Sequence, residues 1–166
     1  DSQRVRDIFQ NAQPEVVIHA AALKHVPLME RNVCEAILTN VAGAVNCARA
    51  AASVGANSFV FISTDKAVDP DNVMGATKRL AEIAISRIAE EAGMAAAMVR
   101  FGNVLGSSGS VVPLFERQIA EGGPVTITDM GVTRYFMTVE EASSLVLQAG
   151  ALQHECGNSD IYVLDM

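Results

Sequence analysis

The sequence predicts an α/β fold built on a parallel sheet, because short apolar runs alternate with longer helical patterns. Residues 14–20 and 58–64, and more weakly 95–101, have the apolar character and length of buried parallel strands. Residues 34–53 and 73–92 lie between these runs and show helical periodicity. A strand, helix, strand, helix, strand order implies right-handed crossovers, which place the strands parallel in one sheet.

Both predicted helices end at a glycine, Gly55 for the first and Gly93 for the second. In the second helix the apolar and polar positions divide into two faces, so we expect the polar side chains to face solvent. The apolar set is Leu80, Ile83, Ala84 and Ile88, and the polar set is Glu82, Ser86 and Glu90.

The last part of the chain predicts two more helices and two more strands. Pro113 suits the first turn of a helix that ends at Gly122. Thr138 and Glu141 have the spacing of a capping box, which opens a helix that runs to Leu152. The two predicted strands are residues 125–128 and 161–164.

The composition limits the classes of function. Of the 166 residues, 50% are hydrophobic, which is typical of one globular domain over residues 1–166. The net charge of −7 argues against a nucleic-acid surface. The three cysteines lack metal-ligand spacing, so we expect reduced packing thiols and no metal site. No apolar run approaches the roughly 18 residues needed to span a bilayer, so we expect no membrane contact from these residues.

Polar side chains follow each of the three predicted strands. In open parallel sheets, ligands bind beyond the carboxyl ends of the strands. Each polar set alone is also explained as a solvated loop, but three sets at one edge favour a ligand crevice. The sets are His19, Lys24 and His25; Thr64, Asp65 and Lys66; and Arg100 and Asn103.

A glycine-rich loop follows the third strand at Gly102, Gly106 and Gly109. Its G-x-x-x-G-x-x-G spacing departs from the dinucleotide fingerprint. On its own it indicates either a loop that approaches phosphate or an ordinary loop.

The segment STDKAVDPDNVMGATKR, residues 63–79, has the densest functional chemistry. Asp65 and Lys66 are adjacent, and we expect them to point different ways at the strand end and not to neutralise each other. Lys78 lies one helical turn after Met74, on the same face of the helix. Met74 has no proton to give, and on its own it is explained as a core side chain.

Four motifs, in order along the chain, are HAAALKHVPLME (19–30), the segment 63–79, RFGNVLGSSGSVVPLF (100–115) and VTRYFMTVEEA (132–142). Together they resemble the extended short-chain dehydrogenase/reductase family, and within it the UDP-N-acetylhexosamine 4,6-dehydratases of bacterial surface polysaccharide synthesis. The resemblance implies a partial Rossmann-type, doubly wound sheet whose first βαβ unit and dinucleotide glycine turn belong before Asp1. Residues 103–166 would then form mainly the substrate side, with the loop at 102–109 facing the nucleotide sugar.

The resemblance also implies NAD as cofactor and a UDP-N-acetylhexosamine as substrate. Arg134 would lie beside the diphosphate, because a guanidinium donates two parallel charged hydrogen bonds; without the resemblance it is explained as a surface ion pair. The implied cofactor residues are Ala20, Ala21, Ala22, Lys24, Thr39, Asn40 and Lys78. The implied substrate residues are Lys24, His25, Asn103, Val112, Pro113, Leu114 and Arg134.

Such enzymes oxidise C4 of the sugar, eliminate water across C5 and C6, and return the hydride to C6. By resemblance Asp65 is the acid and Lys66 the base of the elimination, which needs a protonated carboxyl and a neutral amine in a desolvated pocket. Thr64 would hydrogen-bond the C4 oxygen. Lys78 would orient the ribose of the cofactor, and its charge would favour hydride loss.

The family usually has a tyrosine at position 74, and that tyrosine accepts the C4 hydroxyl proton. Met74 is characteristic of the long, membrane-anchored branch, which implies UDP-N-acetylglucosamine as substrate and retained configuration at C5. The base for the C4 hydroxyl is then Lys66, Asp65 or a water.

Two other functions remain open. An NAD-dependent UDP-sugar 4-epimerase would share the fold but predicts a tyrosine at position 74, and a non-catalytic fragment that binds NAD or a nucleotide sugar needs no turnover. We expect the isolated chain to be inactive and to bind NAD weakly. We expect its parent to be a homo-oligomer on the cytoplasmic side of a bacterial inner membrane.

Overall fold

A computed structural model describes residues 1–107, 111–127 and 129–163. The main sheet has four parallel strands in the order β1-β2-β3-β6, and β4 pairs with β5 in a separate two-stranded sheet. The predicted α/β class with a parallel sheet is confirmed. The strands are β1 (Val16–His19), β2 (Ser58–Ile62), β3 (Ala95–Arg100), β4 (Asn103–Val104), β5 (Phe136–Met137) and β6 (Ser159–Val163).

Seven α-helices lie within the described residues. The helix α1 is not predicted by the sequence pattern; it begins after Asp1, whose carboxylate accepts hydrogen bonds from the amides of Gln3 and Arg4. A 3₁₀ turn, Asp65–Ala67, follows β2. The helices are α1 (Ser2–Ala12), α2 (Val26–Arg31), α3 (Val33–Ala36), α4 (Ala44–Ser53), α5 (Val73–Ala92), α6 (Val111–Ala120) and α7 (Val139–Cys156).

The helix predicted over residues 34–53 is present but is not regular. A π-helical segment, Ile37–Gly43, joins α3 to α4. The small side chains of Ala44, Ala48 and Ala51 are fully buried, which brings α4 close to its neighbours in the core. The predicted periodicity therefore identified the helix and its buried face, but not the π-helical segment inside it.

The bounds predicted for α5 are confirmed, with Asn72 accepting a hydrogen bond from the amide of Gly75 at 2.9 Å and Gly93 at a φ of 65°. The prediction of its solvent face is wrong. Glu82 is only 1% exposed, whereas Leu80 and Ile83 are 51% and 53% exposed.

The capping box predicted at the start of α7 is confirmed by reciprocal hydrogen bonds between Thr138 and Glu141. The strand predicted at 125–128 is wrong for residues 125–127, and Thr128 lies outside the described residues. The amide of Thr126 donates to the side chain of Gln118 at 3.0 Å, so a helix side chain replaces a partner strand. The strand predicted at 161–164 is present as β6; Leu164 lies outside the described residues.

Helices cover both faces of the sheet, as a doubly wound fold requires. On one face Phe59 and Phe61 of β2 pack with buried residues of α4 and α5. On the other face Val60 packs with Val146 and Ala149 of α7. The alternation along β2 therefore fixes which helices lie on which side.

Two features bear on the composition-based predictions. Among the helices of the described ranges, none combines the length and apolar character needed to cross a bilayer. Cys47 is half-buried against the core, but Cys34 and Cys156 are exposed, so the packing role predicted for all three cysteines is wrong for these two.

Candidate functional site

The segments that follow β2 and β3 meet at the carboxyl edge of the sheet. The parallel register pairs Ile62 with Val99, which places the ends of the two strands side by side. The amide of Asp65 then donates to the carbonyl of Phe101 at 3.2 Å. This contact brings the 3₁₀ turn next to the segment that leads into Asn103.

Thr64, Asp65 and Lys66 form one hydrogen-bonded unit at the end of β2. The hydroxyl of Thr64 donates to Oδ1 of Asp65 at 2.8 Å, and the Lys66 amide donates to the same oxygen at 2.9 Å. The Lys66 ammonium also binds Oδ1, at 2.9 Å. The expectation that Asp65 and Lys66 do not neutralise each other is therefore wrong, because the tight turn folds the lysine side chain back over its neighbour.

These contacts fix the charge state of Asp65. Burial favours the neutral carboxyl, but the hydrogen bonds from Lys66 and Thr64 and the charge of Lys66 outweigh it, and the pKa of Asp65 is lowered. Within the described residues the side-chain bonds all reach Oδ1, which leaves Oδ2 open. Asp65 is thus a carboxylate in this state and not the protonated acid that the sequence led us to expect.

Lys78 lies beneath the end of β2 with 6% of its surface exposed. Its Nζ donates to the carbonyl of Ile62 at 2.5 Å and lies 4.1 Å from the ring centre of Phe61. Burial lowers its pKa to about 8, although the nearby charge of Glu82 opposes this change. The amine thus reaches the strand end directly before the 3₁₀ turn Asp65–Ala67, called the Asp65 turn below.

Met74 is a packing residue. It is 6% exposed and lies in a small apolar cluster with Met29 and Ala36. It therefore takes part in no proton transfer, and its sulfur side chain fixes the first turn of α5 against α2 and α3.

The loop after β1 is held by a buried amide. Asn40, 1% exposed, accepts a hydrogen bond from the Leu23 amide at 2.7 Å and donates to the Leu23 carbonyl at 2.9 Å. Its amide nitrogen also reaches the hydroxyl of Thr77 at 3.1 Å. Asn40 thus supports the loop from below and links it to α5, while the neighbouring Thr39 is half-buried.

The residues assigned to the cofactor in this loop are exposed, namely Ala20, Ala21, Ala22 and Lys24. His25 is exposed too, and its carbonyl accepts hydrogen bonds from the amides of Leu28 and Met29 at the start of α2. His19, by contrast, is buried between Phe59 and Phe61. Burial and the charge of Lys78 lower the pKa of His19, so its ring is held neutral.

The residues after β3 that the resemblance assigns to the substrate lie on β4, on α6 and before β5. Pairing of β4 with β5, with the amide of Asn103 donating to the carbonyl of Tyr135 at 3.0 Å, brings Asn103 close to Arg134. The guanidinium of Arg134 is exposed and donates to the carbonyl of Thr133 at 2.7 Å. Val112, Pro113 and Leu114 occupy the first turns of α6. Gly109 of the glycine-rich loop lies outside the described residues.

The sequence reasoning missed a buried ion pair beneath the Asp65 turn. Glu82 of α5 binds Arg100 of β3 and the hydroxyl of Ser63, the residue before Thr64. Arg100 is the residue in the sequence that could have revealed this ion pair, because an arginine within a buried strand needs a carboxylate partner. No group of three or more His, Cys, Asp or Glu that could hold a metal ion occurs in the ranges the structure describes.

The whole chain, residues 1–166, matches the model of the polysaccharide biosynthesis protein family. The chain belongs to this family. It is 53% identical over 166 residues to the probable polysaccharide biosynthesis protein EpsC of Bacillus subtilis, of which it spans 27%. The chain thus covers only about a quarter of that relative's length.

Two further relatives have names that state a reaction. Over 152 residues, 90% of the chain, it is 43% identical to a UDP-glucose 4-epimerase of Rickettsia massiliae, of which it covers 44%. Over 137 residues, 80% of the chain, it is 42% identical to a UDP-N-acetylglucosamine 4,6-dehydratase (inverting) of Campylobacter jejuni, of which it covers 41%.

Among solved structures, Pen from Bacillus thuringiensis superimposes with a TM-score of 0.92 at 38% identity. The match covers 100% of this chain and 51% of Pen. The predicted resemblance to the dehydratase branch of the extended short-chain dehydrogenase/reductases and the Rossmann-type fold are both confirmed.

Proposed function

We propose that the full-length protein containing this chain is an NAD-dependent UDP-N-acetylglucosamine 4,6-dehydratase that retains configuration at C5. The observation that carries the proposal is the hydrogen-bonded unit of Thr64, Asp65 and Lys66 at the end of β2. It supplies a carboxylate and an amine in one turn, and these can act as the acid, once the carboxylate has taken up a proton, and the base that an elimination of water needs. The name of the Campylobacter jejuni relative supports the reaction. That name includes "inverting", so retention rests on Met74 alone.

The residues present fit the nicotinamide end of NAD. The loop of Ala20, Ala21 and Ala22 is exposed and has only small side chains, so a flat ring and a ribose can approach its backbone. Lys78 would hold the ribose hydroxyls, and Lys24 would lie near the phosphates. When bound, NAD supplies a reversible store for the hydrogen that leaves C4 and later enters C6.

Asp65 performs the first proton transfer in the proposed mechanism. As a carboxylate with Oδ2 open, it accepts the C4 hydroxyl proton directly or through the hydroxyl of Thr64. The lowered pKa of Asp65 supports its choice as this base over Lys66 or a water, because it is ionised before the reaction begins. Once protonated, it is the acid that the elimination requires.

Lys66 performs the second transfer. The mechanism requires Lys66 as a neutral amine, so its proton passes to solvent once protonation of Asp65 removes its ion-pair partner, and Lys66 takes a proton back from solvent after the product leaves. The neutral amine then takes the C5 proton, and Asp65 protonates the departing C6 hydroxyl, which leaves as water. The Lys66 ammonium then returns one of its solvent-exchangeable hydrogens to C5 on the same face, so the configuration is retained, C5 gains deuterium in deuterated water, and the net change is the loss of one water.

The test is incubation of the full-length protein with UDP-N-acetylglucosamine in deuterated water. We expect one product epimer, lighter than the substrate by one water and with deuterium at C5. We expect Asp65→Asn and Lys66→Met each to lower kcat by about 10²-fold or more. Asp69→Asn, an exposed aspartate in the following loop, is the matched control and should leave kcat unchanged. If the wild-type protein consumes no sugar nucleotide, the proposal is wrong.

The name of the Rickettsia massiliae relative favours a second candidate, a UDP-sugar 4-epimerase. That reaction inverts C4 and keeps the mass of the sugar nucleotide. Met74 opposes it, since it provides no phenol to exchange the C4 hydroxyl proton. A product of unchanged mass in the same incubation would establish the epimerase instead.

A further inference from the structure

We infer that the buried ion pair of Glu82 and Arg100 positions the Asp65 turn for catalysis, an inference that rests on the proposed function. Neither side chain belongs to the acid and base pair of the mechanism. They lie directly beneath the turn, and the side chains of Glu82 and Arg100 are 1% and 10% exposed, respectively. The polar groups that surround them come from the end of β2, from the Asp65 turn and from α5.

Glu82 is the centre of this cluster. Its Oε1 accepts hydrogen bonds from the hydroxyl of Ser63 at 2.5 Å and from Nε of Arg100 at 2.9 Å. Its Oε2 accepts from Nη2 of Arg100 at 2.5 Å and from Nη1 of Arg79 at 3.1 Å. Both oxygens are thus saturated, and the guanidinium binds them in a two-pronged, directional geometry.

The cluster around Glu82 and Arg100 contacts both ends of the Asp65 turn. Ser63 directly precedes Thr64, and Nη2 of Arg100 lies 3.4 Å from the carbonyl of Ala67, the last residue of the turn. The backbone reinforces this arrangement, because the amides of Ser63 and Asp65 donate to the carbonyls of the residues on either side of Arg100, Val99 and Phe101. Asp65 and Lys66 are therefore held between two points that are both fixed by Glu82 and Arg100.

The same carboxylate also relates the turn to Lys78. Glu82 lies one helical turn after Lys78 on α5, and Nζ of Lys78 binds the carbonyl of Ile62 at the end of β2. Glu82 thus fixes α5, which carries Lys78, to the end of β2, which leads into Asp65. A buried ion pair is often no better for stability than apolar residues of the same shape, so its directional bonds are the better explanation for its presence here.

The test compares Arg100→Lys with Arg87→Lys in the full-length protein. Arg87 is on the outer face of α5 and binds Glu91 at 2.8 Å, so it offers the same substitution in an exposed ion pair that does not contact the turn. Lysine at position 100 keeps the charge but loses the fork. We expect amide hydrogen exchange at Lys66, Ala67 and Val68 to accelerate about tenfold or more in Arg100→Lys, and not in Arg87→Lys.

Kinetics separate positioning from stability. Because a small misplacement of reacting groups costs about 10²-fold in rate, we expect kcat per folded molecule to fall at least tenfold in Arg100→Lys, with KM changed less than threefold. Ser63→Ala, which removes one hydroxyl and no charge, should show the same pattern more weakly. It is the variant to measure if Arg100→Lys does not fold.

Two results would overturn the inference. One is unchanged exchange in the turn in both variants. The other is an equal rise in exchange at Phe59 and Phe61 in the core of β2, which would indicate a contribution to global stability only. The exchange measurement needs no turnover. A wild-type protein without dehydratase activity would therefore refute the proposed function while the hydrogen exchange still decides whether the ion pair fixes the turn.

Discussion

The amine of Lys78 lies in surroundings that oppose its charge. It is buried, and burial is the main cause that lowers its pKa. The ring face of Phe61 and the charge of Glu82 favour the ammonium, but Arg79 and Arg100 already neutralise Glu82 in part. From β1, the buried His19 is held neutral and adds no positive charge. One carbonyl, that of Ile62, is the hydrogen-bond acceptor of the ammonium within the described residues.

We predict that the amine of Lys78 titrates at a mildly alkaline pH, well below the usual range for a lysine. The pKa of Lys78 is lowered from 10.5 to about 8, so in the folded protein it should lose its charge as the pH rises through about 8. The unfolded chain binds its proton up to a higher pH, so deprotonation of Lys78 makes the folded state more stable as the pH rises from about 8 to 10.5. Nuclear magnetic resonance of protein with ¹³C-labelled lysine Cε measures this, and the signal lost in Lys78→Met identifies the residue.

Glu82→Gln is a control for this titration, because the charge of Glu82 raises the pKa of Lys78. In Glu82→Gln the favourable charge is gone, and the midpoint for Lys78 should move to lower pH. A midpoint near 10.5 in the wild-type protein would contradict the burial argument. If the charge of Lys78 favours hydride loss, as the resemblance implies, the rate should fall over the same pH range in which its signal titrates.

The geometry of the site depends on how closely α5 approaches the Asp65 turn. Gly75 lies in the first turn of α5, and a Cβ added there would lie 2.2 Å from the carbonyl oxygen of Lys66 and 3.2 Å from Cβ of Pro70. The backbone of the turn has no flexible end that can move aside. Gly75 is therefore needed for close approach and not for a left-handed conformation.

Gly75→Ala should displace the turn that holds Asp65 and Lys66. We expect kcat of the full-length protein to fall about tenfold or more. Overpacking should destabilise by about 1–3 kcal/mol, partly offset by up to about 1 kcal/mol from the better helix propensity of alanine. Activity assays and thermal unfolding measure the two effects.

Gly43→Ala is the matched control, since Gly43 is also in a helix but a Cβ there would meet its nearest atom, the carbonyl oxygen of Leu38, at 3.7 Å. That variant should keep its activity and lose no stability. Equal losses in both variants would show that glycine is needed for another reason than the contact with Lys66.

The same helix shows what a sequence reveals about an element and what it does not. The start at Asn72 and the end at Gly93 follow from local chemistry, so both were predictable. The solvent face was not, because burial of Glu82 depends on Arg100 from a strand 18 residues further along the chain. Periodicity alone predicts that a charged residue is exposed, because it carries no information about a distant ion-pair partner.

In the candidate site, too, local features were predictable from the sequence and the side-chain contacts were not. Its position after β2, and the chemical types in Thr64, Asp65 and Lys66, were predictable from the alternation of strands and helices. The ion pair between Asp65 and Lys66 was not, because it depends on a 3₁₀ turn whose dihedral angles no local pattern specified. The lowered pKa of Asp65, and with it the proposed order of proton transfers, depends on that geometry.

The main sheet bears on how much of the proposed NAD site these residues can form. The strand β1 is at an edge of the four-stranded sheet, with Val16 and Ile18 55% and 51% exposed. The loop that follows it, HAAALK, has no glycine turn for the pyrophosphate. Under the proposed function, Lys78 and the alanine loop would contact the nicotinamide ribose, while this loop lacks the glycine turn whose backbone amides hold the phosphates in dinucleotide sites.

We therefore expect the isolated 166-residue chain to bind NAD with a Kd of about 1 mM or weaker, which corresponds to only about 4 kcal/mol of binding free energy. Isothermal titration calorimetry measures this, with circular dichroism and a cooperative melt to show that the chain is folded. The full-length protein, titrated in the same buffer, is the comparison and should bind far more tightly, because pyrophosphate contacts add to those of the ribose. A micromolar Kd for the isolated chain would contradict the expectation and would show that the alanine loop, Lys24 and Lys78 suffice to hold the cofactor.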